Sequence, residues 1–334
     1  MFETAIQLWS SGEWLSVFSN PQKRLFWGYL LSALLIALLW LMVCRGQNFI
    51  TSLRQIFSRE TWLSASARAD YLMTVINMTL MTLVTPKLLT QSAVAYLLFE
   101  NLHLLVGARP MIVLPSWMVA VSFTLCLFIL DDLARYLVHR LLHRVPVLWA
   151  FHKVHHSATV LNPMTVLRTH PVESIIYSIR NALVQGFCIA IFFFFFGEQV
   201  SLVTVLGAAV FNFMFNFLGS NLRHSPVAIS FNRRVESFLI SPAQHQIHHS
   251  IAAKHYDRNF GVALATWDYL FETITYSKAN QKLKFGVLSS HKKPHSLLAL
   301  YWSPFTEILT GLVIVKSKPQ HKSDVVAATL GVSK

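Results

Sequence analysis

Ten of the fifteen histidines fall between residues 139 and 249. The segment HRLLH supplies His139 and His143, HKVHH supplies His152, His155 and His156, and QHQIHH supplies His245, His248 and His249. His224 stands alone in NLRHS, and His170 stands in THPVE. On a helix, residues three and four apart share a face at about 5–6 Å, so each group can aim two or three imidazoles at one point. Imidazole suits zinc, copper, iron and nickel. If the three groups meet, they carry nitrogen for two ions at four or five ligands each. A zinc hydrolase typically needs three protein ligands, an open position and often a carboxylate base. Eight or nine histidines exceed that, and no H-E-x-x-H occurs. A binuclear iron site fits the count better. His103, His255, His291, His295 and His321 are isolated and read as ordinary structural residues.

The elements that must position these groups are apolar helices. The chain has 334 residues, 54% hydrophobic and 13% charged, with a mean hydropathy of +0.48. Water-soluble domains run closer to a quarter charged. The formal charge of +13 does not point to nucleic acid, which needs a soluble basic groove. Lys and Arg beside apolar spans instead set topology and meet anionic lipid headgroups. A hydrocarbon core needs about 20 apolar residues in a helix, and Leu25 to Val43 meets this. Trp9 and Trp14 lie ahead of it as interfacial aromatics, and Arg45 follows instead of a cleavage site, as in an uncleaved first span. Residues 71–106 are interrupted by Asn77, Pro86, Lys87 and Glu100, and fit one kinked span with a re-entrant piece or two imperfect spans. Trp117 to Leu130 is apolar, and its helix is expected to run on through Asp131, Asp132 and Arg135 to the histidines.

Leu183 to Phe196 and Val200 to Gly219 are expected to form a tight helical hairpin around Gly197, Glu198 and Gln199. Two crossings return the chain to one side, so residues 139–180 and 220–295 share a face. Both are rich in Arg and Lys, which makes that face cytoplasmic by the positive-inside rule. The basic loop after the first span (Arg54, Arg59, Arg68) then requires an even number of crossings before residue 139. Cys44, Cys126 and Cys188 lack bridging or zinc-knuckle spacings and read as buried free thiols. The expected fold is all-α, an integral membrane helical bundle with a cytoplasmic-side helical cap holding a histidine-rich dimetal site. Residues 1–115 form N-terminal membrane helices, 116–280 a catalytic domain, and 281–334 an amphipathic segment with a disordered tail from 316.

The three groups in this order, separated by a hydrophobic stretch, resemble the fatty acid hydroxylase and sterol desaturase superfamily of integral-membrane non-haem di-iron enzymes. The resemblance runs from about Asp131 to Thr273 and includes HRLLHRVPVLWAFHKVHHS and SPAQHQIHHSIAAKHYDRNFGVALATWDYLFET. It looks strongest toward the alkylglycerol monooxygenase and bacterial sterol-desaturase-family branch. It implies that His139, His143, His152, His155, His156, His245, His248 and His249 hold the metals, with His224 as a further ligand. Some relatives have H-x-x-x-x-H in the first group and a second histidine near His224. Here the spacing is shorter and the nearby polar candidate is Asn221, so water or Asn221 replaces one imidazole. His170 and Glu173 could act behind the ligands, or His170 could itself ligate. Asp131, Asp132, Asp257 and Asp268 are candidates to hold ring N–H groups, and a cap or salt bridge explains each equally well.

The resemblance further implies two ferrous ions, with zinc able to substitute in purified protein, and dioxygen used to hydroxylate a lipid C–H bond. Desaturation at the same site is the alternative, and a zinc-dependent membrane hydrolase or a metal-binding protein trails both. The chain shows no G-x-G-x-x-G dinucleotide fingerprint and no fused haem carrier domain, so a separate electron-donor protein is expected. Membrane lipids, a lipid substrate and dioxygen complete the partners. The expected location is a multi-pass membrane protein, in the inner membrane if the source is bacterial.

Overall fold

A computed structural model describes residues 10–107, 112–206, 208–278, 281–287 and 295–311. His291, His321 and the expected disordered tail lie outside the described residues. Apolar helices dominate: α1 (Trp27–Leu39), α2 (Phe49–Ile56), α3 (Ala65–Val84), α4 (Gln91–Val106), α5 (Ser116–Arg144) and α6 (Pro146–His156) precede α7 (Pro171–Phe196). The short α8 (Val210–Phe217) and α9 (Pro242–His248) follow, and α10 (Leu297–Thr310) closes the described chain. Among the described residues, four stretches are long and apolar enough to cross a membrane: Trp27–Cys44, Ala65–Val106, Ser116–Arg144 and Pro171–Gln199. Their outward residues stay apolar, with Leu104 and Leu105 exposed by 82% and 84%. Such surface suits lipid rather than water.

Local chemistry fixes the helix ends. Ser64 and Thr90 accept the backbone N–H groups of Ala67 and Ala93 at the starts of α3 and α4, which satisfies donors the first turn leaves orphaned. Ser241 and Gln244 form a reciprocal capping box at α9, with Pro242 as its first residue. Gly107 and Gly197 end α4 and α7 at φ of 82° and 59°, a conformation glycine adopts without steric cost.

Pro86 resolves the ambiguous stretch 71–106. A 3₁₀ turn over Thr85–Lys87 separates α3 from α4, because proline cannot supply the N–H that a continuous helix needs. Both pieces nonetheless run the same way along α7. Asn77 donates to the Thr169 carbonyl at 2.7 Å, beside the start of α7, while Phe99 packs on Phe193 and Phe194 near its end. They form one kinked limb, and α5 returns beside them to the histidines. Two limbs thus separate the basic loop at 54–68 from residue 139.

The helical hairpin at 183–219 is not what forms. Leu183 to Phe196 is the second half of α7, and residues 204–209 carry a two-residue antiparallel pairing, Thr204 with Ala209 and Val205 with Ala208. Only Val210–Phe217 of the returning limb is helical. Val200, Val203, Thr204 and Val205 are β-branched, which disfavours helix, and Val203 N–H is taken by Thr124 Oγ1 at 3.0 Å. The chain still comes back to the histidine side, through an extended strap. Cys188 is buried, but Cys44 is exposed at the end of its span.

A buried ion pair ties the N-terminal limb to the histidine helices. Arg168 bonds Asp70 of α3 at 2.9 Å, both side chains having no exposure. The same guanidinium donates to the Val154 carbonyl at 3.0 Å and the Ser157 hydroxyl at 2.8 Å, holding the end of α6. The α10 helix lies against this region, with Leu300 in one cluster with Ala69, Met73 and Val154 and Glu307 paired to Lys153.

The helices α4 and α7 approach closely at Gly186. A Cβ at Gly186 would stand 2.5 Å from Val94 Cβ and 2.8 Å from the Gln91 carbonyl oxygen. Gly186→Ala is therefore expected to destabilise the protein by about 1–3 kcal/mol through overpacking, read as a lower melting temperature in detergent. An unchanged melting temperature would contradict the contact.

Candidate metal centre

Each histidine group sits at the end of an element and points the same way. His139 and His143 occupy the last turns of α5, one helical turn apart. Pro146 starts α6 after a break of one residue, Val145, so the chain turns back and presents His152, His155 and His156 on its last two turns. His224 ends a 3₁₀ turn over Ser220–His224, and α9 with its C-cap contributes His245, His248 and His249. All nine are at most 7% exposed.

They fall into two sets. His139, His143, His152, His156 and His248 form one, and His155, His224, His245 and His249 the other, with one nitrogen from each member within 4.8 Å of those of its set. In the second set His224 Nε2 lies 3.3 Å from His155 Nε2, 3.1 Å from His249 Nε2 and 3.1 Å from His245 Nε2. His245 Nε2 and His249 Nε2 are 3.2 Å apart. Nitrogens about 2.0–2.1 Å from a single ion at tetrahedral or octahedral angles stand roughly 2.8–3.4 Å apart. The observed spacing matches that of ligands to one cation. The two sets adjoin through His156 and His249, whose rings stack at 4.5 Å.

The hydrogen-bonding state of the rings fits a metal as well. His139 Nδ1 and His248 Nδ1 each lie 2.8 Å from a backbone carbonyl, of Phe260 and Arg258 respectively. A carbonyl only accepts, so these Nδ1 atoms carry hydrogen and their Nε2 atoms carry lone pairs. His152 Nδ1 lies 2.9 Å from Glu173 Oε1, with both side chains 3% exposed, the carboxylate–histidine arrangement that orients metal ligands. His156 has no hydrogen-bond partner at either ring nitrogen among the described residues, and neither do the Nδ1 atoms of His224, His245 and His249. Buried polar atoms without partners are costly, and a bound cation removes that cost for inward-facing lone pairs. Burial, and then the neighbouring histidines, hold His155, His156, His224, His245 and His249 well below the ordinary imidazole value. The rings are therefore neutral at physiological pH, the state that ligates metal.

The carboxylates flagged in the sequence lie behind this centre and brace it. Asp132 accepts from the Ala263 and Leu264 N–H groups at 2.9 and 3.0 Å and from the Trp267 indole at 3.0 Å, pinning the 258–268 loop to α5. Asp268 accepts from Phe260 and Gly261 N–H at 2.8 and 2.7 Å, which holds the peptide whose carbonyl orients His139. Burial raises the Asp268 carboxyl to about 6. A Cβ on Gly261 would meet Asp268 Oδ2 at 2.7 Å, so glycine is needed there. Asp131 pairs with Arg135 and Arg180, and Asp257 lies 3.5 Å from Arg144. None of the four belongs to either histidine set.

His170 lies outside both sets. Its Nδ1 accepts the Val172 N–H at 3.2 Å as the cap of α7, and its Nε2 lies 3.1 Å from the Tyr301 carbonyl. Asn221 donates to the Arg24 carbonyl at 3.0 Å, and its Oδ1 has no hydrogen-bond partner among the described residues. His103 bonds the Phe99 carbonyl, His255 meets Gln281, and His295 meets Arg168, each an ordinary structural role. Sequence reading passes over the Asp70–Arg168 tie, because neither residue carries a spacing signal.

The fatty acid hydroxylase family model matches residues 124–273, which include all nine histidines. Among curated proteins, the human alkylglycerol monooxygenase is 26% identical over 156 residues, covering 47% of this chain and 31% of the relative. A Delta(7)-sterol 5(6)-desaturase of Aspergillus fumigatus is 30% identical over 156 residues, 43% of this chain and 46% of the relative. The ornithine lipid hydroxylase of Rhizobium tropici is 25% identical over 192 residues, 57% and 52% respectively. The chain spans about a third of the length of the alkylglycerol monooxygenases it matches. No solved structure matches it.

Two predictions follow from the partition of the rings. His156→Ala and His249→Ala, one from each set, should each lower bound metal from two ions per chain toward one, whereas His170→Ala should retain both, as counted by elemental analysis. Loss of metal in the His170 variant alone would refute the partition. Glu173→Ala should weaken metal binding about 10–100-fold, the usual cost of removing a partner that orients a ligand, measured by competition with a chelator.

Proposed function

On the match of residues 124–273 to the fatty acid hydroxylase family model, we propose that this chain belongs to that family and is a membrane-bound non-haem di-iron oxygenase that hydroxylates a lipid C–H bond. The observation that carries the reading is the convergence of nine buried imidazoles into adjoining sets of five and four. His139, His143, His152, His156 and His248 would hold one iron, and His155, His224, His245 and His249 the other. Iron in such a site, supplied with dioxygen and external electrons, provides an oxidant able to take hydrogen from an unactivated carbon. The three cited relatives are named for lipid oxidation, desaturation or hydroxylation, which supports a lipid substrate here.

The protein's own contribution is placement. The Phe260 and Arg258 carbonyls and the Glu173 carboxylate fix three rings in the tautomer that turns Nε2 inward. Burial of all nine excludes water, which protects a reactive centre from side reactions. The second iron would be held by four imidazoles, with water or Asn221, which shares a turn with His224, able to complete its shell. Return of a hydroxyl to the lipid carbon gives an alcohol, while loss of a second hydrogen gives an alkene. The desaturase among the relatives supports the second outcome at the same site. Electrons come from a separate donor protein docking on the basic face beside the histidines. That face is cytoplasmic and the chain multi-pass, with membrane helices over 1–115 and the catalytic unit over 116–280.

Protein purified without oxygen should carry two irons per chain and form a lipid product only when both dioxygen and a reductant are added. Comparative lipidomics of cells with and without the gene should identify that product. One tightly held zinc with no oxygen uptake after iron loading would overturn the proposal in favour of a hydrolase or metal-binding role.

A further inference from the structure

Beneath the metal centre lies a cavity of about 390 Å³ between α4, α5, α7 and the returning strap. Phe123, Leu127, Phe128, Phe193 and Phe211 supply much of its wall. Its only charged lining residues are Asp131 and Arg135. Both stand toward the histidine end of α5: Arg135 precedes His139 by one turn, about 6 Å along the axis.

Close to this end of α5, Arg223 Nη1 donates at 2.8 Å to the carbonyl of Val262, next to Ala263, whose N–H is held by Asp132 of α5. Arg24 Nη2 and Arg223 Nε both donate to one acceptor, the Ser220 carbonyl, at 3.0 and 3.2 Å. Two guanidiniums are thereby held side by side with no carboxylate between them. Among the described residues neither forms an ion pair, and Arg24 Nε is buried without a hydrogen-bond partner. Arg223 is 2% exposed and adjoins His224 in sequence. The neighbouring carboxylates are committed elsewhere, Asp131 being shared by Arg135 and Arg180 and Asp132 filled by three N–H donors. Burial, followed by repulsion from Arg135, lowers Arg24 to about 9. Buried cations that repel one another are stabilised by an anion, and guanidinium forks bind carboxylate and phosphate in bidentate fashion.

We propose that the cavity takes the acyl chain of a lipid whose headgroup is anionic, a phosphate or carboxylate seated among Arg24, Arg135 and Arg223. The chain then extends away from the histidines, and the carbons next to the headgroup are those presented to the metals. This last point rests on the oxygenase reading, whereas the binding preference does not.

The test measures lipid binding to the full chain in neutral detergent by native mass spectrometry. The probes are dioleoyl phosphatidate, oleate, dioleoylglycerol and inorganic phosphate. The anionic lipids should bind at least about tenfold tighter than dioleoylglycerol, the effect of one good charge-assisted contact, and inorganic phosphate should bind more weakly than either. The double variant Arg24→Gln, Arg135→Gln should lose the preference, and Leu127→Trp, which fills the cavity, should weaken every lipid. Melting temperature serves as the folding control. Should the double variant not fold, Arg135→Gln alone carries the test, since its side chain is one-third exposed and tolerates replacement. Equal affinity for the uncharged lipid, a preference that survives the charge removal, or phosphate binding as tightly as phosphatidate would each overturn the proposal. None of these readouts needs turnover, so failure here is distinct from failure of the oxygenase reading.

Discussion

Four buried imidazole nitrogens, with neighbouring pairs 3.1–3.3 Å apart, form the constraint on which the rest of this structure depends. Four neutral rings cannot all donate to each other, and four protonated rings would repel strongly at this depth. A shared cation, which these rings could hold, makes such an approach favourable, and five further rings gather alongside with one nitrogen of each within 4.8 Å of the others. Everything around them keeps these lone pairs aimed inward: carbonyls at the back of His139 and His248, a carboxylate at the back of His152, and helix ends that stop at the right residue.

Much of the surrounding architecture exists to hold distant stretches of chain at that point. The Asp70–Arg168 pair anchors the end of α6 to a helix outside the family-matched region. Asp132 and Asp268 tie the 258–268 loop to α5 and so to the first histidine set. Buried ion pairs add little net stability compared with well-packed apolar residues. They do fix one geometry, because breaking them leaves an uncompensated charge. The protein thus places its costly polar groups where position matters most. Its long helices rely on apolar packing instead, as at the contact of Gly186 with Val94.

The histidine spacing was legible from sequence because three- and four-residue repeats have a single meaning on a helix. The same holds for the apolar limbs and the break at Pro86. The returning limb was misread. Val200 to Gly219 is apolar enough for a span, and hydropathy alone does not separate helix from extended chain when β-branched residues accumulate. The assignment of carboxylates was only partly accessible. Asp131, Asp132, Asp257 and Asp268 share the region of the motifs, yet Glu173 is the acid in direct contact with a ring. That contact depends on α6 and α7 folding together across a turn, which no local pattern encodes. His170, three residues before Glu173, looks like a ligand in sequence and is a helix cap in space.

The central claim is that two cations sit between these rings. Anomalous scattering recorded at the iron edge from crystals of iron-loaded protein addresses it directly. The account predicts two separate peaks, one enclosed by His139, His143, His152, His156 and His248 and the other by His155, His224, His245 and His249. A single peak, or density for iron away from both sets, would contradict it.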